Sequence, residues 1–415
     1  MDLRISHVCP SCGGPVEMLE ADRLTNCPYC DVQNYMVGGS MLRFVLPDNI
    51  PEHIHRADII YFPYLRFKGN IYTIVGRKVG YKVLDTTHQG LDVRLLPPSL
   101  GLRPQAMKIH LINEKSEGKF IKRRETPASV LRRAEKLARA VIDVDETPLY
   151  HRAFIGETVS CLYLPLYIEN DTVYDGILKR ELGETEDWLV APESISTADN
   201  RWQQKFLAMI CPRCGDTMQG DSDSIVVHCY NCHSCWTEEQ SKFKPVDYQL
   251  IPGGKRRMVF LPFWRIIVES MGVEMQTFAD LLKATNQPVV IRKKHVDQQL
   301  EFWIPAIKIR PKIFLTLAKT ATLSQLKYPG GEQRLKKPLH PVTLPLKEAV
   351  QSITSVFAET TVSRQDVMPL LPKLSFTVKK SVLSFLPFED TGHDYVQVHS
   401  GFSVASSVVR FGRRL

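Results

Sequence analysis

The chain has 415 residues, 44% hydrophobic and 24% charged, the usage of an ordinary folded protein, which excludes disordered, collagen-like and coiled-coil classes. At about one domain per 100–200 residues it holds roughly two to four domains. Fifty-three Lys and Arg against 45 Asp and Glu leave a formal net charge of +8, a mild excess that permits an anionic partner without demanding one.

Residues 1–14 contain no apolar stretch ahead of the first cysteines, so no secretory leader is expected. Ten cysteines in such a chain point to reduced thiols, metal ligation and a cytoplasmic address, not to a disulfide framework. No apolar run approaches the ~18 residues of a membrane-spanning helix. The longest, around Cys161–Ile168 and Met258–Val268, are broken by Pro or Arg.

The cysteines carry the strongest signal. Cys9-Pro10-Ser11-Cys12 is followed, after the 14 residues 13–26, by Cys27-Pro28-Tyr29-Cys30. Cys211-Pro212-Arg213-Cys214 is followed, after the 14 residues 215–228, by Cys229-Tyr230-Asn231-Cys232. Every cysteine of the first quartet has a counterpart 202 positions on. A C-x-x-C turn sets two thiolates at the spacing one tetrahedral zinc needs, and two such turns complete a four-thiolate site. Gly13, Gly14 and Gly215 suit the tight turn that follows. The pattern resembles the zinc-ribbon family over about residues 7–34 and 209–236. The expected cofactors are two structural zinc ions whose closed shells leave no position for a reacting water. Cys235 is expected to be spare, and His228 and His233 to stand beside the site, not in it.

The same order of signals continues past each quartet. Ile60–Arg66, Leu102–Ile109 and Leu162–Tyr167 in the first half match Phe260–Arg265, Ile309–Leu315 and Ser384–Glu389 in the second. These stretches read as strands, and their prolines suggest sheet edges or strand starts. Between the last two signals each half shows helical spacing. Val130, Ala134, Leu137, Ala138 and Val141 recur over 126–142, and Leu346, Val350, Ile353 and Phe357 recur after Pro345. The expected fold is α+β in two duplicated halves, each a small zinc ribbon followed by a mixed or antiparallel sheet body with a few helices. The boundaries fall at 1–40 (ribbon 1), 41–200 (body 1), 205–240 (ribbon 2) and 241–415 (body 2), with the polar stretch 184–202 as linker.

No nucleophile elbow, zinc-protease, phosphate-loop or dinucleotide motif occurs, so no catalytic residue is assigned and an enzyme is not expected. His53 and His55 would share one strand face, too few for a metal. The remaining lead is basic. Lys122, Arg123 and Arg124 lead into Arg132 and Arg133 on the 126–142 helix, and Lys255, Arg256 and Arg257 form a second group. Such groups can hold DNA or RNA through phosphate contacts alone. Against that, the loops of both ribbons, 17–23 and 216–223, are acidic and would repel phosphate. The expected role is therefore a non-enzymatic scaffold or adaptor of a multi-protein assembly. Sequence-independent nucleic-acid binding is the alternative, and an enzyme with an unrecognised site comes third. Peripheral membrane contact stays open, and no small-molecule substrate is indicated.

Overall fold

A computed structural model of the chain describes all residues except 1–2, 39–40, 102, 114–115, 127–128, 130–131, 133–146, 187–188, 190, 192–193, 197–201, 203, 255–256, 327, 329 and 413–415. Most of the helix expected over 126–142, with Arg133, therefore lies outside the described residues, as do Lys255 and Arg256.

The architecture is α+β and mostly strand, with six helices among the described residues. In the first half the strands are β1 (Arg4–Val8), β2 (Pro15–Leu19), β3 (Leu24–Asn26), β4 (Gln33–Met36), β5 (Leu42–Val45), β6 (Ile60–Val75) and β7 (Lys78–Gln89). They continue as β8 (Lys108–Leu111), β9 (Lys119–Ile121), β10 (Leu149–Glu169), β11 (Thr172–Asp175), β12 (Arg180–Glu184) and β13 (Ile195–Ser196). The second half begins with β14 (Phe206–Ala208), β15 (Val226–Cys229), β16 (Ser234–Glu239), β17 (Lys242–Pro245), β18 (Tyr248–Leu250) and β19 (Met258–Met271). Helices α1 (Phe278–Ala284) and α2 (Lys293–Val296) precede β20 (Phe302–Pro305). Then come α3 (Pro311–Ser324), α4 (Leu346–Thr360), α5 (Arg364–Val367), β21 (Ser375–Asp390), β22 (Asp394–Gln397), β23 (Ser403–Ala405) and α6 (Ser406–Phe411). The first large sheet runs β13-β9-β6-β10-β5-β8-β1-β2, with β7 beside β6 and β11–β12 continuing from β10. The second runs β20-β19-β21-β22-β23, with β18 beside β21.

One set of pairings occurs in both sheets. In the antiparallel pair β6–β10, Tyr61 faces Pro165 and Pro63 faces Tyr163. In β19–β21, Phe260 faces Pro387 and Pro262 faces Phe385. A short parallel strand lies on the second member of each pair, with Val45 opposite Tyr163 and Leu250 opposite Phe385. A meander leaves from the same place in each, with Leu166 opposite Asp175 and Phe388 opposite Gln397.

The four prolines are not at sheet edges. They sit within central strands, at the point where an outer neighbour departs. The last residue pairs of those neighbours are Tyr64–Gln89, Leu166–Asp175, Phe263–Pro305 and Phe388–Gln397. One step further on, the amides of Gly90, Gly176, Ala306 and Val398 donate to the carbonyls of Pro63, Pro165, Pro262 and Pro387, at 2.7, 2.8, 2.9 and 3.2 Å. Only the reciprocal bond, which would need the N–H that proline lacks, is given up, and the ladder ends there.

The Leu102–Ile109 and Ile309–Leu315 stretches depart from the strand expectation. Arg103–Ala106 is a short 3-10 turn ahead of β8, and Pro311 opens α3 from its first turn, where a missing N–H costs nothing. The helix expected after Pro345 is α4, with Ile353 and Phe357 buried. The 184–202 stretch is more than a linker. It contributes β13, which pairs with β9, and the Trp202 ring stacks on Tyr163 at 5.7 Å with the Arg43 guanidinium 4.8 Å from its centroid.

The two sheets share apolar packing. β6, β7 and β10 extend beyond the first core, so that Tyr72, Ile74, Ala153 and Ile155 join the cluster built around Phe314, Ile353 and Phe357 of the second half. The Tyr72 and Phe314 rings lie 6.1 Å apart. Tyr72→Ala is expected to destabilise the chain by about 3 kcal/mol, the usual cost of truncating a buried aromatic. Chemical denaturation followed by amide exchange should place that loss in α3 and α4 as well as in β6.

Candidate metal centres

Each cysteine quartet is held by two backbone knuckles. In the first, the Gly13 amide donates to the Cys9 carbonyl at 2.9 Å and the Cys9 amide to the Gly14 carbonyl at 2.8 Å. In the second, Gly215 donates to Cys211 at 2.9 Å and Cys211 to Asp216 at 2.8 Å. Gly13 and Gly215 both have φ +76°, the left-handed region that glycine enters without penalty. Asp31 and His233, each one residue past the last cysteine of its quartet, are also left-handed, at φ 56° and 49°. Sequence reading misses these two because neither is glycine.

The thiols converge. Cys9, Cys12, Cys27 and Cys30 form one group, and Cys211, Cys214, Cys229 and Cys232 a second, with all four Sγ atoms of each within 4.8 Å of one another. Individual separations are 3.8 Å for Cys9–Cys30 and 3.6 Å for Cys12–Cys27. They are 3.6 Å for Cys211–Cys232 and 3.4 Å for Cys214–Cys229. A tetrahedral ion with metal–sulfur bonds of about 2.3 Å requires edges of about 3.8 Å, so both groups could hold a metal ion.

The electrostatics favour the charged form of the first thiol in each quartet. Burial pushes the Cys9 thiol up, but the amides of Cys12 and Ser11 and the neighbouring thiols outweigh it, leaving the group at about 6. For Cys211 burial is again outweighed, by the Arg213 and Cys214 amides with the Ser234 hydroxyl and Cys232, and the thiol also falls to about 6. Ser234 is a member of the site that spacing does not reveal. Its Oγ lies 3.0 Å from the Cys232 Sγ and accepts from the Trp236 indole at 2.8 Å. Asn231 Nδ2 donates to Cys214 Sγ at 3.7 Å.

Cys235 is not in the converging group. It is buried, and that burial pushes its thiol well up. His228 lies edge-on to Phe385 at 5.7 Å and is not in the group either. His53 lies on a turn and His55 is the extended residue that precedes the 3-10 helix Arg56–Asp58, so they share no strand. His53 Nε2 is 3.0 Å from Glu169 Oε1.

The ribbons dock on each other and on the first sheet. β14, which leads into the second quartet, pairs with β4 of the first. The amides of Arg23 and Leu24 donate to the Ser222 carbonyl at 2.6 and 2.8 Å. Leu24 and Tyr35 share one apolar cluster with Met209, Met218, Val227 and Trp236.

The acidic surface expected of the first loop is reduced to Glu17, which stays exposed, because the Glu20 and Asp22 carboxylates are buried. Glu20, 3% exposed, pairs with Arg66, 1% exposed, and accepts from the Ser160 hydroxyl at 2.7 Å. Arg66 also reaches both carboxylate oxygens of Asp85, at 2.8 and 2.9 Å. Asp22 accepts from the Leu19 amide at 2.7 Å, and Glu17 pairs with Lys108. In the second loop Asp216 and Asp221 remain exposed.

The basic residues are dispersed. Lys122, Arg123 and Arg124 follow β9 in the first sheet, with Lys122 and Arg124 exposed and Arg123 donating to the Glu125 carbonyl at 2.7 Å. Arg132 is exposed. Arg257 precedes β19 in the second sheet, 3.9 Å from Asp390. Among the described residues no helix is long and apolar enough to cross a membrane.

Comparison with known proteins finds no family model, no curated protein and no solved structure that matches this chain.

Proposed function

We propose that the chain is a cytoplasmic, non-enzymatic scaffold or adaptor of a multi-protein assembly, in which two zinc ions fix a pair of rigid docking knobs. The observation that carries the reading is apolar exposure at both closed metal centres. Val8 and Ile210, each the residue before the first cysteine of its quartet, are more than half exposed, as is Tyr29 between the second pair of cysteines in the first ribbon. Exposed apolar residues on a surface that metal ligation holds rigid are what a protein partner recognises. Four thiolates with tetrahedral edges favour zinc, and a full thiolate shell assigns it a structural role. The matched strand registers, the shared proline positions and the constant cysteine offset support an origin by duplication of one ribbon and body unit.

The test is a comparative pull-down from native extract. Wild-type chain is expected to retain a stoichiometric protein partner that Val8→Asp/Tyr29→Ala and Ile210→Asp variants release, with metal content unchanged. Equal retention by all three chains would remove the reading. Sequence-independent nucleic-acid binding through Lys122, Arg124 and Arg132 is the second reading, favoured by the exposure of these side chains. Its signature is a DNA or RNA affinity that falls steeply with salt.

A further inference from the structure

We propose that the loop between α1 and α2 docks the second half on an anionic lipid surface. Every residue from Pro288 to Lys294 is exposed, and the order is Val289-Val290-Ile291 followed at once by Arg292-Lys293-Lys294. Val290 is 78% exposed. The apolar patch continues on Val296, one turn on, and on Val362, whose amide donates to the Thr285 carbonyl at 2.9 Å and so lies at the base of the loop.

The tip is held out by its surroundings. At one end the Gln287 amide donates to the Leu282 carbonyl at 2.9 Å and its side-chain amide to the Thr360 carbonyl at 2.6 Å. At the other, His295 is buried edge-on against Phe278 at 5.6 Å, and the Arg292 amide donates to its Nδ1 at 3.3 Å. More cations border this end of the molecule. Lys283 is exposed on α1, as are Arg77 in the Gly76–Arg77 turn between β6 and β7 and Lys78 at the start of β7, and the Arg77 carbonyl accepts from Arg364 at 3.4 Å. Of the nearby acids, Asp280 turns back to cap α1 through Thr277, and Glu359 is paired with Arg364 at 3.1 Å. Asp297 stays exposed just beyond the loop.

This chemistry fits a lipid surface better than a protein or a nucleic acid. Three consecutive aliphatic side chains gain by leaving water for the acyl boundary, while the three cations behind them stay at the level of anionic headgroups. A nucleic acid would take the cations and leave the valines in water. A protein interface is ordinarily centred on aromatic or Arg anchors fitting into pockets, and this tip carries no aromatic residue.

Sedimentation with phosphatidylcholine vesicles, with and without phosphatidylserine, tests the proposal. Wild-type chain is expected to sediment with the phosphatidylserine-containing vesicles and not with phosphatidylcholine alone. Arg292→Glu/Lys293→Glu/Lys294→Glu should weaken binding on the order of 100-fold. Val289→Ser/Val290→Ser/Ile291→Ser should weaken it as well, and both variants should keep the wild-type unfolding midpoint. As a second readout, tryptophan emission of Val290→Trp should shift to the blue on adding phosphatidylserine vesicles. Three results would each overturn the proposal: no sedimentation of the wild-type chain, undiminished binding by the serine variant, or an unshifted Val290→Trp emission. A partner protein lost from the serine variant while vesicles fail to bind would reassign the loop to protein docking.

Discussion

Cys214→Ser is expected to abolish metal binding at the second of the two cysteine groups that could each hold an ion, and to unfold the second ribbon. Ligation in small Cys-rich sites supplies an apparent ~10–16 kcal/mol, far more than so small a core can replace. The damage extends beyond the quartet, because Leu24 and Tyr35 of the first ribbon lean on Met209, Met218 and Trp236. Metal quantification should fall from about two ions per chain to about one, and amide protection should drop at β3 and β4 as well as at β15 and β16. Cys235→Ser is the control. It removes a buried thiol outside the converging group and should leave the metal content at the wild-type level. Loss of metal from Cys235→Ser, or full retention by Cys214→Ser, would contradict the assignment of the four ligands.

The second large effect comes from Arg66. Its guanidinium lies between Glu20 on the first ribbon's loop and Asp85 on β7, with Ser160 of β10 completing the contacts to Glu20. Arg66→Met leaves Glu20 buried without its cation, and breaking a buried ion pair from one side costs about 3–5 kcal/mol. Adding Glu20→Gln should recover part of that loss, since the two changes share one network and their effects do not add. Urea unfolding of the two single variants and the double variant gives the coupling directly. Strictly additive losses would mean that Arg66 and Glu20 do not act as a unit.

Part of this molecule can be read directly from the chain. The metal groups are legible because tetrahedral thiolate ligation dictates short, rigid spacings that survive in one dimension. The aromatic-proline strands are legible because β-branched and aromatic residues mark them, and α4 because its apolar stripe recurs at helical spacing. The reading fails where a residue's role is set by something distant in sequence. Glu20 looks like a solvent-facing acid until Arg66 is brought against it. Trp202 looks like part of a linker until Arg43 and Tyr163 close around it. The prolines look like edge markers because the rule counts lost ladder bonds, and here the outer neighbour has already left. The Ile309–Leu315 stretch reads as a strand because its apolar residues suit a strand as well as the first turns of a helix. Pro311 at the first turn is the deciding signal.

The pairing of β14 with β4 has a consequence for the order of events during synthesis. A ribosome delivers Cys30 long before Phe206 emerges, so the amino-terminal metal group forms without the strand that later lies along its flank. The reverse holds for the carboxyl-terminal sheet. By the time α3 and α4 are made, Tyr72 and Ile155 are already available as a surface to receive them. The nascent chain thus leaves its first finger waiting on later sequence, while its last helices meet a prepared bed.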